Sequence, residues 1–374
     1  MDNPNQKILV TQPSLPDLDD FIPYLREIWD SKWLTNRGKF HEELEKKLAE
    51  YLGVPYISLF SNGTLALVIA LQALRITGEV ITTPFSFVAT THSLWWNNIQ
   101  PVFADIEPNY LTLDPEKVEA AITPKTTAIL PVHVYGNPSA MDELQEIAQV
   151  HGLRIIYDSA HAFGVKYRDC SVMNWGDLSI LSFHATKVFN TFEGGAIVSH
   201  DQNMKKRIDY LKNFGFAGEA RVIGPGINAK MNEFQAALGL AQLKHHEENI
   251  AKRKAIHDRY HQFLKNEPGI SFSNIREHTE YNYAYFPVFI DETHYGKSRD
   301  ELYEHMIAEG YYPRRYFYPL ISSFPIYKGM PSAQPANLPV GEEVADKVLC
   351  LPIYPDLEHK HVEKISQLIK DFKQ

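Results

Sequence analysis

Short apolar runs alternate with longer amphipathic stretches through the first two-thirds of the chain. Residues 39–53, KFHEELEKKLAEYLG, place apolar side chains at helical spacing and close on Gly53. YISLF at 56–60 is a short β-type run, and it leads into SNGTLALVIALQAL, which reads as a turn opening a helix. EVITTP (79–84) predicts a strand, SFVATTHSLWWNN a helix and PVFADI (101–106) a strand. In DPEKVEAAI, Asp114 stands as N-cap with Pro115 at the first helical position. TTAILPVHV is a buried-type strand; SAMDELQEIAQVHG is a helix with Ser139 as cap and Gly152 as its end. LRIIYD (153–158), LSILSF (178–183) and GGAIVS (194–199) are further short strands.

Near-continuous apolar strands that alternate with helices predict an α/β protein. Its sheet should be mostly parallel, with helices on both faces. Sites in such sheets gather at the carboxyl ends of the strands. From Met231 a long helical run extends towards residue 267 and carries the chain out of a large domain, 1–245, into a smaller α+β domain, 246–374. That second piece has a strand at YAYFPVFI and a helix at SRDELYEHMIAEG, with Ser298 and Glu301 as a capping box. It ends in a helix at EHKHVEKISQLIKDF, after a Pro/Gly-rich loop over 328–341.

Charge and composition narrow the function classes. Lys plus Arg number 37 against 46 Asp plus Glu, a net charge of −9 without a basic block, which argues against nucleic-acid binding. No apolar run approaches the roughly 20 residues that span a bilayer. The opening residues lack the pattern of a secretory leader, so a cytoplasmic protein is expected. The two cysteines, Cys170 and Cys350, form no CxxC pair, so neither a disulfide framework nor a metal site is expected.

Three constellations at strand ends could carry chemistry. Ser61-Asn62-Gly63-Thr64 joins a strand to a helix, and unpaired amides at a helix start bind phosphate; a plain capping turn would look the same. Asp158 ends the apolar strand IIYD, with His161 close behind. A carboxylate there could ion-pair with a protonated ring nitrogen, or merely cap a turn. Lys187 in SFHATK follows the strand LSIL and is the one Lys, Arg, Asp or Glu between Asp177 and Glu193. Such a lysine is either a desolvated nucleophile or a surface lysine whose stem is buried. A phosphate cradle, a rim carboxylate and a rim lysine on successive strand ends together match what pyridoxal phosphate requires. The lysine holds the cofactor as an imine, and the carboxylate keeps the pyridine nitrogen protonated. TPFSFVAT at 83–90 offers an aromatic lid.

The ordered set SNGTLAL, TTPFSFVAT, PVHVYGNP, YDSAHAFG, SFHATK, EGGAIVS and NAKMNEFQAALGLAQL resembles the DegT/DnrJ/EryC1 family of pyridoxal-phosphate-dependent sugar aminotransferases. The likeness runs from WLTNRG at 33–38 to CLPIYPDL at 350–357. It implies a fold-type I, aspartate aminotransferase-like architecture. By motif, Lys187 would be the cofactor lysine, Asp158 the partner of the ring nitrogen and His161 a contact to the ring hydroxyl. Gly63, Thr64 and Ser182 would bind the phosphate, and Phe87 would stack on the ring. Asn228 would reach the phosphate of the other subunit of a homodimer with shared active sites. The family commonly has Arg two positions after that asparagine; Lys230 stands here and is left without a role.

The resemblance also implies transfer of an amino group from L-glutamate to a nucleotide-linked keto-sugar, in the biosynthesis of deoxyaminosugars such as those of lipopolysaccharide O-antigen. Relatives that dehydrate sugars carry histidine in place of the lysine, so Lys187 favours transamination. Trp33, Asn36 and Arg37, with Arg314, Arg315, Tyr316 and Tyr318, are candidates to line the substrate's entry. His184 resembles relatives that aminate C-4 of a dTDP- or UDP-linked 4-keto-6-deoxy sugar, in particular those making dTDP-4-amino-4,6-dideoxyglucose; enzymes acting at C-3 often carry tyrosine there. A cyclitol transaminase, a non-catalytic cofactor-binding regulator and a nicotinamide dehydrogenase are the competing readings. The last lacks a glycine fingerprint, and no helix-turn-helix supports a regulator.

Overall fold

The computed structural model describes residues 7–373. The opening MDNPNQ, on which the leader expectation rests in part, lies outside the described residues. Seven short strands form one sheet in the spatial order Tyr56–Phe60, Gly195–Ser199, Leu178–Ser182, Arg154–Asp158, Thr126–Leu130, Glu79–Thr82, Gln100–Phe103. All neighbouring pairs are parallel except those of Gly195–Ser199, which runs antiparallel to both of its neighbours. The strands are buried along nearly their whole length, as the apolar runs predict. One core cluster joins Ile57, Leu59 and Leu181 to Leu44 and Leu48 of the helix Lys39–Leu52. A second joins Phe60, Ile180 and Ile197 to Leu67 and Leu71 of the helix Gly63–Ala73. Helices therefore cover the sheet on both faces.

The helical run after Met231 is two helices, Glu233–Lys244 and His246–Leu264, which meet at His245. The second packs against His359–Phe372 beside a three-stranded antiparallel sheet of Ile270–Phe272, Phe286–Ile290 and Val348–Leu351. Ile8–Leu9, too short for the apolar pattern to mark, pairs in parallel with Tyr311–Tyr312, so the N-terminal arm lies against the C-terminal half. Leu18–Ser31 is a further helix, with Pro23 inside it.

Several caps form as predicted: Asp114 accepts from Glu116 N, and Ser298 with Glu301 closes a capping box. Ser139 does not cap. The N-cap position is Ala140, and the Ser139 hydroxyl bonds the Val132 carbonyl and the His133 ring, because a buried polar ring there competes for it. The 328–341 loop contains two 3-10 turns and gives way to a helix at Pro339.

Beneath the edge strand lies a buried charge network. Glu45 sits 2.9 Å from Lys205 and 3.3 Å from Lys212, and Asp209 lies 3.0 Å from both lysines. Two anions and two cations balance, and the Glu45 carboxyl also accepts from Leu59 N at 3.1 Å. Breaking a buried pair costs about 3–5 kcal/mol when the surviving charge is left alone. Asp209 survives in Glu45→Gln, so we expect a loss of about 3 kcal/mol in urea unfolding. The two lysines hold the Glu45 carboxyl far below its usual range against the opposing effect of burial. Its stabilising effect is therefore present at neutral pH and declines as pH falls below the unfolded carboxyl's range. The difference between wild type and Glu45→Gln should shrink in acid; a difference constant with pH would contradict the role.

Candidate active site

Strand ends and a helix start converge on a cavity of about 670 Å³. Leu178–Ser182 delivers the turn that carries His184 and Lys187; Arg154–Asp158 delivers Asp158 and then His161. The helix Gly63–Ala73 begins at the same place, with Asn62 as N-cap accepting from Leu65 N at 2.8 Å. Capping and a phosphate cradle are compatible here, because the cap takes one amide and the first turn has others to give.

The cradle is tight for a reason visible in its glycines. A Cβ added at Gly63 would lie 3.0 Å from the Ser182 Cβ, and one at Gly195 would lie 2.7 Å from the backbone of Asn62 and Gly63. The missing side chains let the helix start, the Ser182 hydroxyl and the strand Gly195–Ser199 approach one another.

Asp158 is buried, and burial pushes its carboxyl pKa up. Opposing this, Thr90 Oγ1 donates to its Oδ2 at 2.8 Å, Ala160 N donates to its Oδ1 at 3.1 Å, and Lys187 supplies positive charge. Burial in turn brings the Lys187 ammonium down to about 8, despite the opposing pull of Asp158. A lysine so placed offers far more free amine near neutral pH than an ordinary lysine, and mostly free amine above about pH 8. His161 is held neutral by burial, with its pKa well below the ordinary value. Its Nδ1 accepts from Tyr135 N at 3.2 Å, which leaves Nε2 as the protonated nitrogen. The ring stacks on Phe317 at 5.9 Å and 3°. Phe87 lines the cavity and is 58% exposed, so its ring can cover a flat ligand.

These residues fit pyridoxal phosphate: an anion cradle, an aromatic face, a neutral donor, a fixed carboxylate and a low-pKa lysine share one cavity. Among the described residues no group of His, Cys, Asp and Glu is arranged to hold a metal ion.

Of the sequence candidates, Gly63, Thr64, Phe87, Asp158, His161, Ser182, His184, Lys187 and Tyr316 line the cavity. Trp33, Asn36, Arg37, Asn228, Arg314 and Tyr318 do not line it. Arg314 pairs through its backbone with Cys350, and Arg315 is tied to Asp300 at 2.8 Å. Tyr318 lies beneath the Arg299 guanidinium at 4.5 Å. Asn228 accepts from Lys230 Nζ at 3.1 Å on the hairpin-like segment 213–228. It caps no helix: the helix behind it starts at Glu233 and is capped by Asn232 with Gln235.

Sequence reasoning missed Ser86 and Thr90, which sit inside the aromatic motif, and Glu193, whose Oε1 lies 3.6 Å from His184 Nε2. It also missed Tyr285 and Phe317, which the C-terminal half brings to the cavity. The spacing of Ser86 and Thr90 across a strand–helix turn was the one available signal.

The sequence pattern of the DegT/DnrJ/EryC1/StrS aminotransferase family matches residues 17–370. A protein of Escherichia coli named dTDP-4-amino-4,6-dideoxy-D-glucose transaminase is 54% identical over 366 residues, 98% of each chain. One of the same name from Shigella dysenteriae is 50% identical, over 98% of this chain and 99% of its own. GDP-perosamine synthase of Escherichia coli O157:H7 is 32% identical over 98% of each. Among solved structures, DesI in the presence of its TDP-sugar product superposes with a TM-score of 0.94 at 38% identity, over 98% of this chain and 93% of that one.

Proposed function

The chain belongs to the DegT/DnrJ/EryC1/StrS aminotransferase family, and from that premise we propose that it is a pyridoxal-phosphate-dependent nucleotide-sugar transaminase. Its substrate is dTDP-4-keto-6-deoxyglucose, L-glutamate is the donor, and dTDP-4-amino-4,6-dideoxyglucose is the product. The observation that carries this reading is the full-length match at 54% identity to a relative bearing that product's name.

Bound in the cavity, the cofactor would act as an electron sink that lets an amine's neighbouring C–H bond ionise. The chain's own groups do the rest. The Gly63–Thr64 helix start and the Ser182 hydroxyl would hold the phosphate. Asp158, kept charged by Thr90 and Ala160 N–H, would pair with the ring nitrogen. His161 Nε2–H would donate to the ring hydroxyl. Lys187, whose ammonium burial brings down to about 8, would as its free amine take a proton from the donor's α-carbon in the first half-reaction and deliver a proton to the sugar carbon in the second. Donor and acceptor then use one site in turn, so ping-pong kinetics are expected.

The test is a panel of dTDP-, UDP- and GDP-linked 4-keto-6-deoxy sugars and a 3-keto sugar, ranked by kcat/KM with glutamate. The dTDP 4-keto sugar should rank first. A leading GDP sugar would favour a perosamine-type reaction; a leading 3-keto sugar would sink the C-4 assignment. Free thiols such as the exposed Cys170 suit the cytoplasm as the place of action.

We read the assembly as a two-fold homodimer with shared sites. Phe214, Phe216, Val222 and Ile223 expose apolar surface on the segment that carries Asn228, outside its own chain's cavity. Inactive Lys187→Ala and Asn228→Ala chains, dissociated and reassociated together, should regain activity, because each heterodimer would hold one intact site. Heterodimers that form yet stay inactive would place Asn228 within its own subunit.

A further inference from the structure

We propose that Ser86 and Thr90 form a one-way hydroxyl relay that keeps Asp158 ionised, and so act as positioning residues for cofactor binding and proton transfer. The inference rests on the pyridoxal-phosphate reading above.

The geometry fixes the direction of the relay. Thr90 Oγ1 lies 2.8 Å from Asp158 Oδ2 and 2.9 Å from Ser86 Oγ. A hydroxyl has one proton to give. An ionised carboxylate only accepts, so the Thr90 proton goes to Asp158 and the Ser86 proton goes to Thr90. Each bond polarises the next, which strengthens donation at the carboxylate. Thr90, Ser86 and Asp158 are all buried, so a carboxylate charge left without a donor there is costly.

The relay also has work to do. Asp158 must be an anion to hold a protonated ring nitrogen, yet burial opposes that charge. Its other carboxylate donor is the backbone of Ala160. The titratable groups facing it from adjoining loops are Lys187, whose amine is diverted once the cofactor is attached, and His161, which is neutral. His133, at the end of the neighbouring strand, is neutral and turned to Ser139. His184 and Glu193 line the same cavity. Thr90 is therefore the side-chain donor that remains when Lys187 is occupied. The turn that supplies the relay also carries Phe87, so one segment would hold the ring from its face and from its nitrogen.

The test uses Thr90→Val, which keeps shape and removes the donor, Thr90→Ser, which restores it, and Ser86→Ala. Cofactor affinity is read by absorbance titration of the unloaded proteins. Thr90→Val should weaken binding on the order of tenfold, as loss of a hydrogen bond to a charged group does. Ser86→Ala should weaken it by about threefold and Thr90→Ser by less. A second readout needs no cofactor: the urea stability of each unloaded protein from pH 4 to pH 7.5. The folded pKa of Asp158 is already raised, and losing Thr90 raises it further. The deficit of Thr90→Val should therefore grow as pH rises through the raised folded pKa of Asp158, above the ordinary carboxyl value of about 4, and be least below it. A purely structural role would give a deficit that does not change with pH. Wild-type affinity in Thr90→Val, or a pH-independent deficit, overturns the relay. Failure of the wild-type protein itself to bind pyridoxal phosphate would overturn the cofactor reading instead, and the stability arm would still decide the relay.

Discussion

Lys187→Ala is expected to abolish transamination, by at least about 10⁴-fold, while the protein stays folded. Two functions go at once: covalent attachment of the cofactor and the proton transfer that a positioned base supplies, itself worth about 10²–10⁴-fold. Folding should survive, because a buried amine brought down to about 8 is costly to the native state and its removal relieves that cost. Circular dichroism and urea unfolding check the fold; turnover with glutamate checks the chemistry. The mutant should also lack the yellow chromophore that borohydride traps in the wild type. Because attachment needs the free amine, wild-type cofactor capture should quicken as pH rises through about 8 and level off above it. Retained turnover in the mutant would remove Lys187 from the site.

Asp158→Asn is expected to bind cofactor and to react about ten- to a hundredfold more slowly. An amide cannot keep the ring nitrogen protonated, and loss of a charge-assisted hydrogen bond costs about 1.5–3 kcal/mol. Stopped-flow measurement of the glutamate half-reaction isolates this step from sugar binding. Near-normal half-reaction rates would reduce Asp158 to a turn residue bonded to Ala160 N and Thr90.

How the sheet and the site emerged from the sequence follows from range. The strands and their helices were legible because burial on both faces writes continuous apolar runs, and Asn62, Asp158 and Lys187 announced themselves as polar residues at the ends of those runs. The antiparallel setting of Gly195–Ser199 was not legible, since its apolar run is the same in either direction. Nor was the break at His245, where the helical pattern continues from one helix into the next. Tyr285 and Phe317 reach the cavity from more than 90 residues beyond Lys187, and nothing local to them signals it. Ser139 shows the opposite error: a good local cap was overruled by a buried histidine in need of a partner. Ser86 and Thr90 stood in plain view, but only the fold places their hydroxyls against Asp158.

The destination of the amino group tests the whole account most directly. The wild-type protein is incubated with pyridoxal phosphate, ¹⁵N-glutamate and dTDP-4-keto-6-deoxyglucose, and the sugar product is examined by NMR. The account predicts ¹⁵N bonded to C-4 of the hexose in the gluco configuration, with release of the keto acid. Label at C-3, or a keto sugar returned unchanged by a protein that has visibly bound its cofactor, would contradict it.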